Sequence, residues 1–149
     1  MTKLERIQDI LTNDNFRVES SPLPACIDAV SLKTEKSIIV NSCKNFDSSQ
    51  LYCLLQHEKK HFDLELFYTL SASISTILLI ERKVEREAAK ELVKEDELFD
   101  LLCVQQIPIW DIAEKLGVTE HIVKTAYDIY SADEKWIARQ NAIIWEWEA

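Results

Sequence analysis

Glycine is all but missing from this chain, which has one, Gly117, and proline occurs only three times. Little in the sequence forces a tight turn or a break, so long helices are expected. The four cysteines, Cys26, Cys43, Cys53 and Cys103, form no CxxC pair, which speaks against a disulfide or thiolate framework and for four cytosolic thiols. Basic residues are also in deficit, 17 against 26 acidic ones for a net charge of −9. Such a surface repels a phosphate backbone, and direct nucleic-acid binding is not expected. No uncharged apolar run reaches the roughly eighteen residues that a membrane span needs; Ile74 to Ile80 is the longest, and it is short and dotted with serine. The first residues, Met1-Thr2-Lys3-Leu4-Glu5-Arg6, lead into an amphipathic stretch with no signal-peptide pattern, so a soluble, cytoplasmic protein is expected. Internal repeats and low-complexity linkers are missing too.

What is present reads as an α+β chain, mostly helical. At 149 residues with 47% hydrophobic content, one domain with its own core is expected, without staples. Thr2 and Glu5 form a capping box for a first helix with Leu4, Ile7, Ile10 and Leu11 at helical spacing, stopped by Asn13-Asp14-Asn15. Between Phe16 and Val40 the pattern changes to short β-branched runs. Ala29-Val30-Ser31-Leu32 and Ser37-Ile38-Ile39-Val40 flank Lys33-Thr34-Glu35-Lys36, which predicts a small antiparallel hairpin. Its edge could hold an extended peptide by main-chain hydrogen bonds. Asp47 or Ser48, with Gln50, caps a helix expected to run to about Leu66 or Phe67.

That helix carries His57-Glu58-Lys59-Lys60-His61. Two histidines four apart lie on one helical face and can reach a single metal ion, while Glu58, one step round, can take a proton from water bound at the open position. Two of the chain's three histidines fill this motif, and the apolar neighbours Leu51, Leu54, Leu55 and Phe62 half-bury it, where ligation would satisfy an otherwise costly imidazole. Tyr68 to Ser75 is either a connection or the frayed start of the next helix. From Ile77 the sequence is strongly helical, and Glu81, Val84, Glu85, Ala88 and Leu92 fall on one stripe. Carboxylates on a buried face need partners: a lysine or arginine, or a metal ion that lacks a third protein ligand. Twenty residues separate Glu81 from His61, enough for the first helix to finish and a second to return antiparallel beside it. Cys53, one turn before His57, is either a further ligand or a buried thiol.

A helix near Glu95 to Val104 leads to Pro108. The stretch Ile109 to Tyr130 then has the helix-turn-helix arrangement, with Ala113, the turn at Gly117, and apolar Val118 and Val123. Four acids against two lysines leave Pro108 to Tyr130 at −2, the wrong sign for a reader of phosphates. Ser131 with Glu134 should cap a last helix whose Trp136, Ile143, Ile144 and Trp147 line one face. The expected division is a catalytic core over 1–94 and a helical subregion over 95–149, with the helix-turn-helix-like segment at 109–130.

Over most of its length this combination resembles the small phage and mobile-element ImmA/IrrE-type metallopeptidases. The resemblance rests on the hairpin before the metal helix, on His57-Glu58-Lys59-Lys60-His61, on the Glu81 helix and on Ile109 to Tyr130. In that family the third zinc ligand begins a Glu-x-x-Ala-Asn/Asp-x-x-Ala pattern, which lands on Glu81, Val84, Glu85 and Ala88. The resemblance therefore implies a Zn2+ site of His57, His61 and Glu81, with Glu58 as general base and Glu85 holding a ligand histidine. A competing frame that starts at Glu85 keeps that residue as the fallback ligand. Two departures stand out: Lys60 where the family usually has glycine, and Val84 where it usually has alanine. Such proteins cleave or otherwise inactivate a helix-turn-helix repressor encoded beside them, which implies a folded, cytosolic DNA-binding protein as partner. The alternative is an antirepressor that sequesters its target without cutting it. For a donor to the developing oxyanion the candidates are Tyr68, ranked first because a loop could place it at the rim, then His121 and Tyr52.

Overall fold

The computed structural model describes the backbone of residues 1–148 and the side chains of residues 1–146. It is an α+β protein, 60% helical, with seven helices and a small mixed sheet of three strands among the described residues. The chain divides into two compact units, Met1–Ala88 and Ala89–Ala149.

In the first unit, helix α1 (Lys3–Asn13) starts at the expected capping box of Thr2 and Glu5 and buries Ile7 and Leu11. It closes by reversal: Asn15 takes a left-handed φ of 63°, and Phe16 N–H donates to the Leu11 carbonyl at 2.8 Å. The sheet follows, with strands β1 (Arg17–Ser21), β2 (Ala29–Leu32) and β3 (Ser37–Asn41) in the order β1-β3-β2. The expected antiparallel hairpin is β2 with β3. β1, which pairs parallel to β3, is an addition. Four of its five residues are exposed, so it carries none of the apolar alternation that marks a half-buried strand. Central β3 is the apolar one: Ile38 and Val40 join Ile7, Leu11 and Leu55 in the core, each burial contributing roughly 1.5–3 kcal/mol.

Helix α2 (Ser48–Asp63) begins at the capping box of Asp47 and Gln50 and buries Cys53, Leu55, Glu58 and His61. It ends earlier than the expected Leu66 or Phe67. Glu65 adopts a left-handed φ of 53°, and two reversed hydrogen bonds close the turn, Glu65 N–H to the Phe62 carbonyl at 3.2 Å and Leu66 N–H to the His61 carbonyl at 3.0 Å. No glycine or asparagine announces that stop, which is why the sequence pattern overran it. Residues 64–73 form a connection, and α3 (Ile74–Leu92) follows with Val84 and Ala88 buried.

In the second unit, α4 (Glu95–Phe99) passes into a π-helical turn (Asp100–Val104), where one regular helix was expected. Helices α5 (Ile109–Leu116) and α6 (Glu120–Tyr130) pack against each other across a turn in which Gly117 supplies a φ of 67° and Thr119 caps α6. That is the helix-turn-helix arrangement as a fold element. The last helix, α7 (Glu134–Glu148), is capped differently from expectation. Asp133 accepts from Lys135 N–H at 2.8 Å, while Ser131 closes α6 with its N–H on the Tyr127 carbonyl. A carboxylate beside the first free N–H groups caps more strongly than a hydroxyl two residues further out. Trp136 is fully buried, edge-on to Phe99 at 4.9 Å between centroids, so this end of the aromatic stripe is core. Ile143 and Ile144 instead line an open apolar pocket of about 440 Å³, and the Trp147 side chain lies outside those described. Among the described residues no helix is long and apolar enough to cross a membrane.

Candidate metal centre

His57 and His61 leave the same face of α2, with ring centroids 5.1 Å apart. Glu81, on the third turn of α3, reaches both: its Oε2 lies 2.8 Å from His57 Nε2 and its Oε1 3.2 Å from His61 Nε2. The ligand atoms of these three residues all lie within 4.8 Å of one another, and theirs is the one such donor group among the described residues. α2 makes its main contacts with α1, β2 and β3. It meets α3 at this polar cluster.

How His61 is held decides what the cluster can do. The reversed end of α2 folds Leu66 back so that its carbonyl accepts from His61 Nδ1 at 2.7 Å. A carbonyl can only accept, so the proton sits on Nδ1 and the Nε2 lone pair points at a carboxylate oxygen. Two acceptors facing each other at that range need a positive charge between them, either a proton that makes imidazolium or a metal cation. Burial pushes the His61 pKa down, but the Glu81 carboxylate and the Leu66 carbonyl outweigh it and raise the ring above its ordinary value. Burial likewise pushes Glu81 up, and hydrogen bonds from His57, His61 and Tyr68 overcome it and hold that carboxyl well below the usual carboxylate range. The chemistry of the donors, two imidazole nitrogens and one carboxylate oxygen with a backbone carbonyl fixing one tautomer, fits zinc with a position left open.

Glu58 points from α2 toward β2, 5% exposed. Ser31 Oγ donates to its Oε2 at 2.5 Å. Burial raises the Glu58 pKa, with Ser31 and the two imidazoles pulling the other way. Tyr68, in the connection after α2, donates its hydroxyl to Glu81 Oε1 at 2.7 Å, and burial and that carboxylate raise its pKa, so the phenol keeps its proton.

The remaining candidates lie elsewhere. Glu85 is half-buried on α3 and is not in the donor group, so Glu81 and not the fallback meets the imidazoles. Cys53 is a buried thiol, also outside the group. Tyr52 packs on the first unit's core, and His121 is exposed near the start of α6. Lys60 reaches on along its own helix, its Nζ 3.6 Å from Asp63. Two contributors escaped the sequence reading: the Leu66 carbonyl, which no side-chain pattern can announce, and Ser31. A lone hydroxyl inside Ala29-Val30-Ser31-Leu32 was the available signal for the second.

The chain matches no protein-family model, and it has no match among curated proteins or solved structures.

Proposed function

We propose that this protein is a zinc-dependent peptidase acting on a protein partner. The observation that carries the reading is the convergence of His57, His61 and Glu81, with the His61 tautomer fixed by Leu66 and a buried carboxylate, Glu58, on the same helix. In the proposal His57 Nε2, His61 Nε2 and one Glu81 oxygen hold the metal. Bound there, zinc would lower the pKa of its water and polarise a carbonyl. Glu58 does the proton work. Burial makes it a stronger base than an ordinary carboxylate, and because Ser31 occupies Oε2, Oε1 takes the proton and later returns it to the leaving amine. Tyr68 is the donor for the oxyanion: its hydroxyl keeps its proton and is one hydrogen bond away from a ligand. β2 is an edge strand, and Ser31 ties it to Glu58, so an extended peptide paired to that edge would lie beside the base.

By its resemblance to the ImmA/IrrE-type enzymes, the partner is a helix-turn-helix repressor of a phage or mobile element. The net charge of −9 would favour its basic surface. The test is elemental analysis of the wild type, His57→Ala and Glu81→Ala after zinc loading and dialysis. One zinc per wild-type chain and little in either variant is expected; full occupancy in both variants rules the assignment out. Glu58→Gln should keep its zinc yet cleave on the order of a thousandfold more slowly, since only the base is gone. Tyr68→Phe should also keep zinc and lose roughly a hundredfold in rate. A repressor that leaves its operator with its mass intact would instead favour sequestration without cutting.

A further inference from the structure

The helix face that delivers Glu81 does not end there. Ile74, Leu78 and Glu81 stand at i, i+4 and i+7 of α3, one stripe along the helix, and the first two are exposed at 77% and 62%. Leu70, fully exposed, and the ring of Tyr68 come from the connection that leads into the same turn. From Leu66 to Ile80 the chain has no Asp, Glu, Lys or Arg, in a protein in which 29% of residues are charged. An apolar, uncharged surface left in water and running on from a ligand carboxylate needs an occupant.

We propose that Ile74 and Leu78, with Leu70 and Tyr68 at the rim, form a subsite that takes an uncharged aliphatic or aromatic side chain of the bound polypeptide, next to the bond held at Glu81. The proposal rests on the peptidase reading and states the substrate chemistry of that site. Position selects this occupant. A polypeptide whose carbonyl reaches the donors of His57, His61 and Glu81 places its neighbouring residue along the same α3 stripe, one to two turns away. The missing charge selects the side chain, because an acidic or basic residue laid on Ile74 and Leu78 would lose water and gain no partner there.

Two labelled decapeptides of serine, glycine and glutamine, one with a central Leu-Phe and the other with a central Asp-Asp, test it on the zinc-loaded Glu58→Gln protein, which binds without cutting. The Leu-Phe peptide should bind at least about tenfold tighter. Ile74→Asp with Leu78→Asp should abolish that preference while zinc content and circular dichroism stay as in the parent; the milder Ile74→Ser and Leu78→Ser serve if the double variant misfolds. Equal binding of the two peptides, no binding of either, or a preference that survives the substitutions overturns the subsite. So does sedimentation showing a wild-type dimer that the double variant does not form, since the stripe would then be covered by a second copy. Cleavage by the wild type is scored separately: a Leu-Phe peptide that binds with the expected preference and stays intact sinks the peptidase reading and leaves the subsite standing.

Discussion

Asn41 and the group of His57, His61 and Glu81 are both polar and both belong to the first unit, but their hydrogen bonds go to different places. Asn41, 1% exposed at the end of β3, spends its amide on backbone. Its Nδ2 donates to the carbonyls of Leu23, Pro24 and Ile27, and its Oδ1 accepts from the N–H groups of Leu23 and Cys43. Every partner is part of the fold, and the cluster is neutral. It ties the β1–β2 connection to the sheet's central strand. The histidines and Glu81 have one backbone tether, Leu66, and otherwise meet each other and the Tyr68 hydroxyl, so their balance depends on a proton or a metal that the fold does not itself supply. The first cluster closes on the main chain; the second leaves a charge to be provided.

Asn41 is where a single substitution should do most damage. Asn41→Ala removes the shared partner of five hydrogen bonds and leaves buried carbonyls and N–H groups unmet, which should cost about 3 kcal/mol in urea unfolding. Zinc content per folded chain should not change. If Asn41→Ala lost its zinc while still folded, the two clusters would not be separable.

Next in size is the test on the chemical half. Zinc that binds the native state alone stabilises it by about 2.7 kcal/mol at a hundredfold excess over its dissociation constant. A chelator should therefore lower the melting temperature of the wild type and of Glu58→Gln, and leave Glu81→Ala where it was. Equal shifts in all three would mean that the metal sits somewhere else.

On a change of pH, proton and metal act in opposite directions. The pKa of His61 is raised in the fold, so its contribution is present below the ordinary imidazole value and lost as pH rises through the folded value. Glu58 is raised as well, which for a carboxylate means that its burial costs stability as pH climbs past the ordinary carboxylate range. Glu81 is depressed and contributes above that range, losing its effect only as pH falls through its low folded value. The zinc-free protein should thus be most stable in weak acid and weaken toward alkali. Zinc competes with the Nε2 proton of His61, so its stabilisation should grow over the same interval. Urea midpoints between about pH 5 and 9, with zinc and with chelator, should draw apart as pH rises; parallel curves would show that no proton is displaced.

These contrasts also explain what could be read in advance. The helix that carries His57 and His61, the Glu81 helix, the hairpin and the helix-turn-helix pair all carry side-chain periodicity, and all are present. Asp47 with Gln50 and Thr2 with Glu5 were legible because capping boxes are side-chain signals. β1 was missed because an exposed edge strand has no apolar alternation, and the end of α2 because its turn is written in backbone dihedrals. Of the candidate site, His57, His61 and Glu81, which come together, and the buried Glu58 beside them stood in the sequence. Ser31 and the Leu66 carbonyl, which orient them, depend on contacts between elements, and no local pattern predicts those.

The smallest effect concerns that turn. Helices α1, α2 and α5 end in the same reversed pair of hydrogen bonds, on Asn15, Glu65 and Gly117, each with positive φ. Glycine reaches that conformation freely and asparagine does so at modest cost, but for a residue such as glutamate it costs roughly 1–2 kcal/mol. Glycine gives some of this back through the freedom it gains in the unfolded chain, about 0.4–1 kcal/mol. Glu65→Gly should therefore raise stability by about 0–1.6 kcal/mol, the difference between those two terms. It should leave zinc content alone, because the Leu66 carbonyl stays on His61. Glu65→Pro separates the two roles of the turn: its ring fixes φ near −65°, the reversal cannot form, and Leu66 leaves His61. Zinc should then bind about ten- to a hundredfold more weakly, as expected when a ligand histidine loses the group that orients it. If Glu65→Pro bound zinc as tightly as the wild type, the turn would only end a helix, and the tautomer of His61 would have to be set by something other than Leu66.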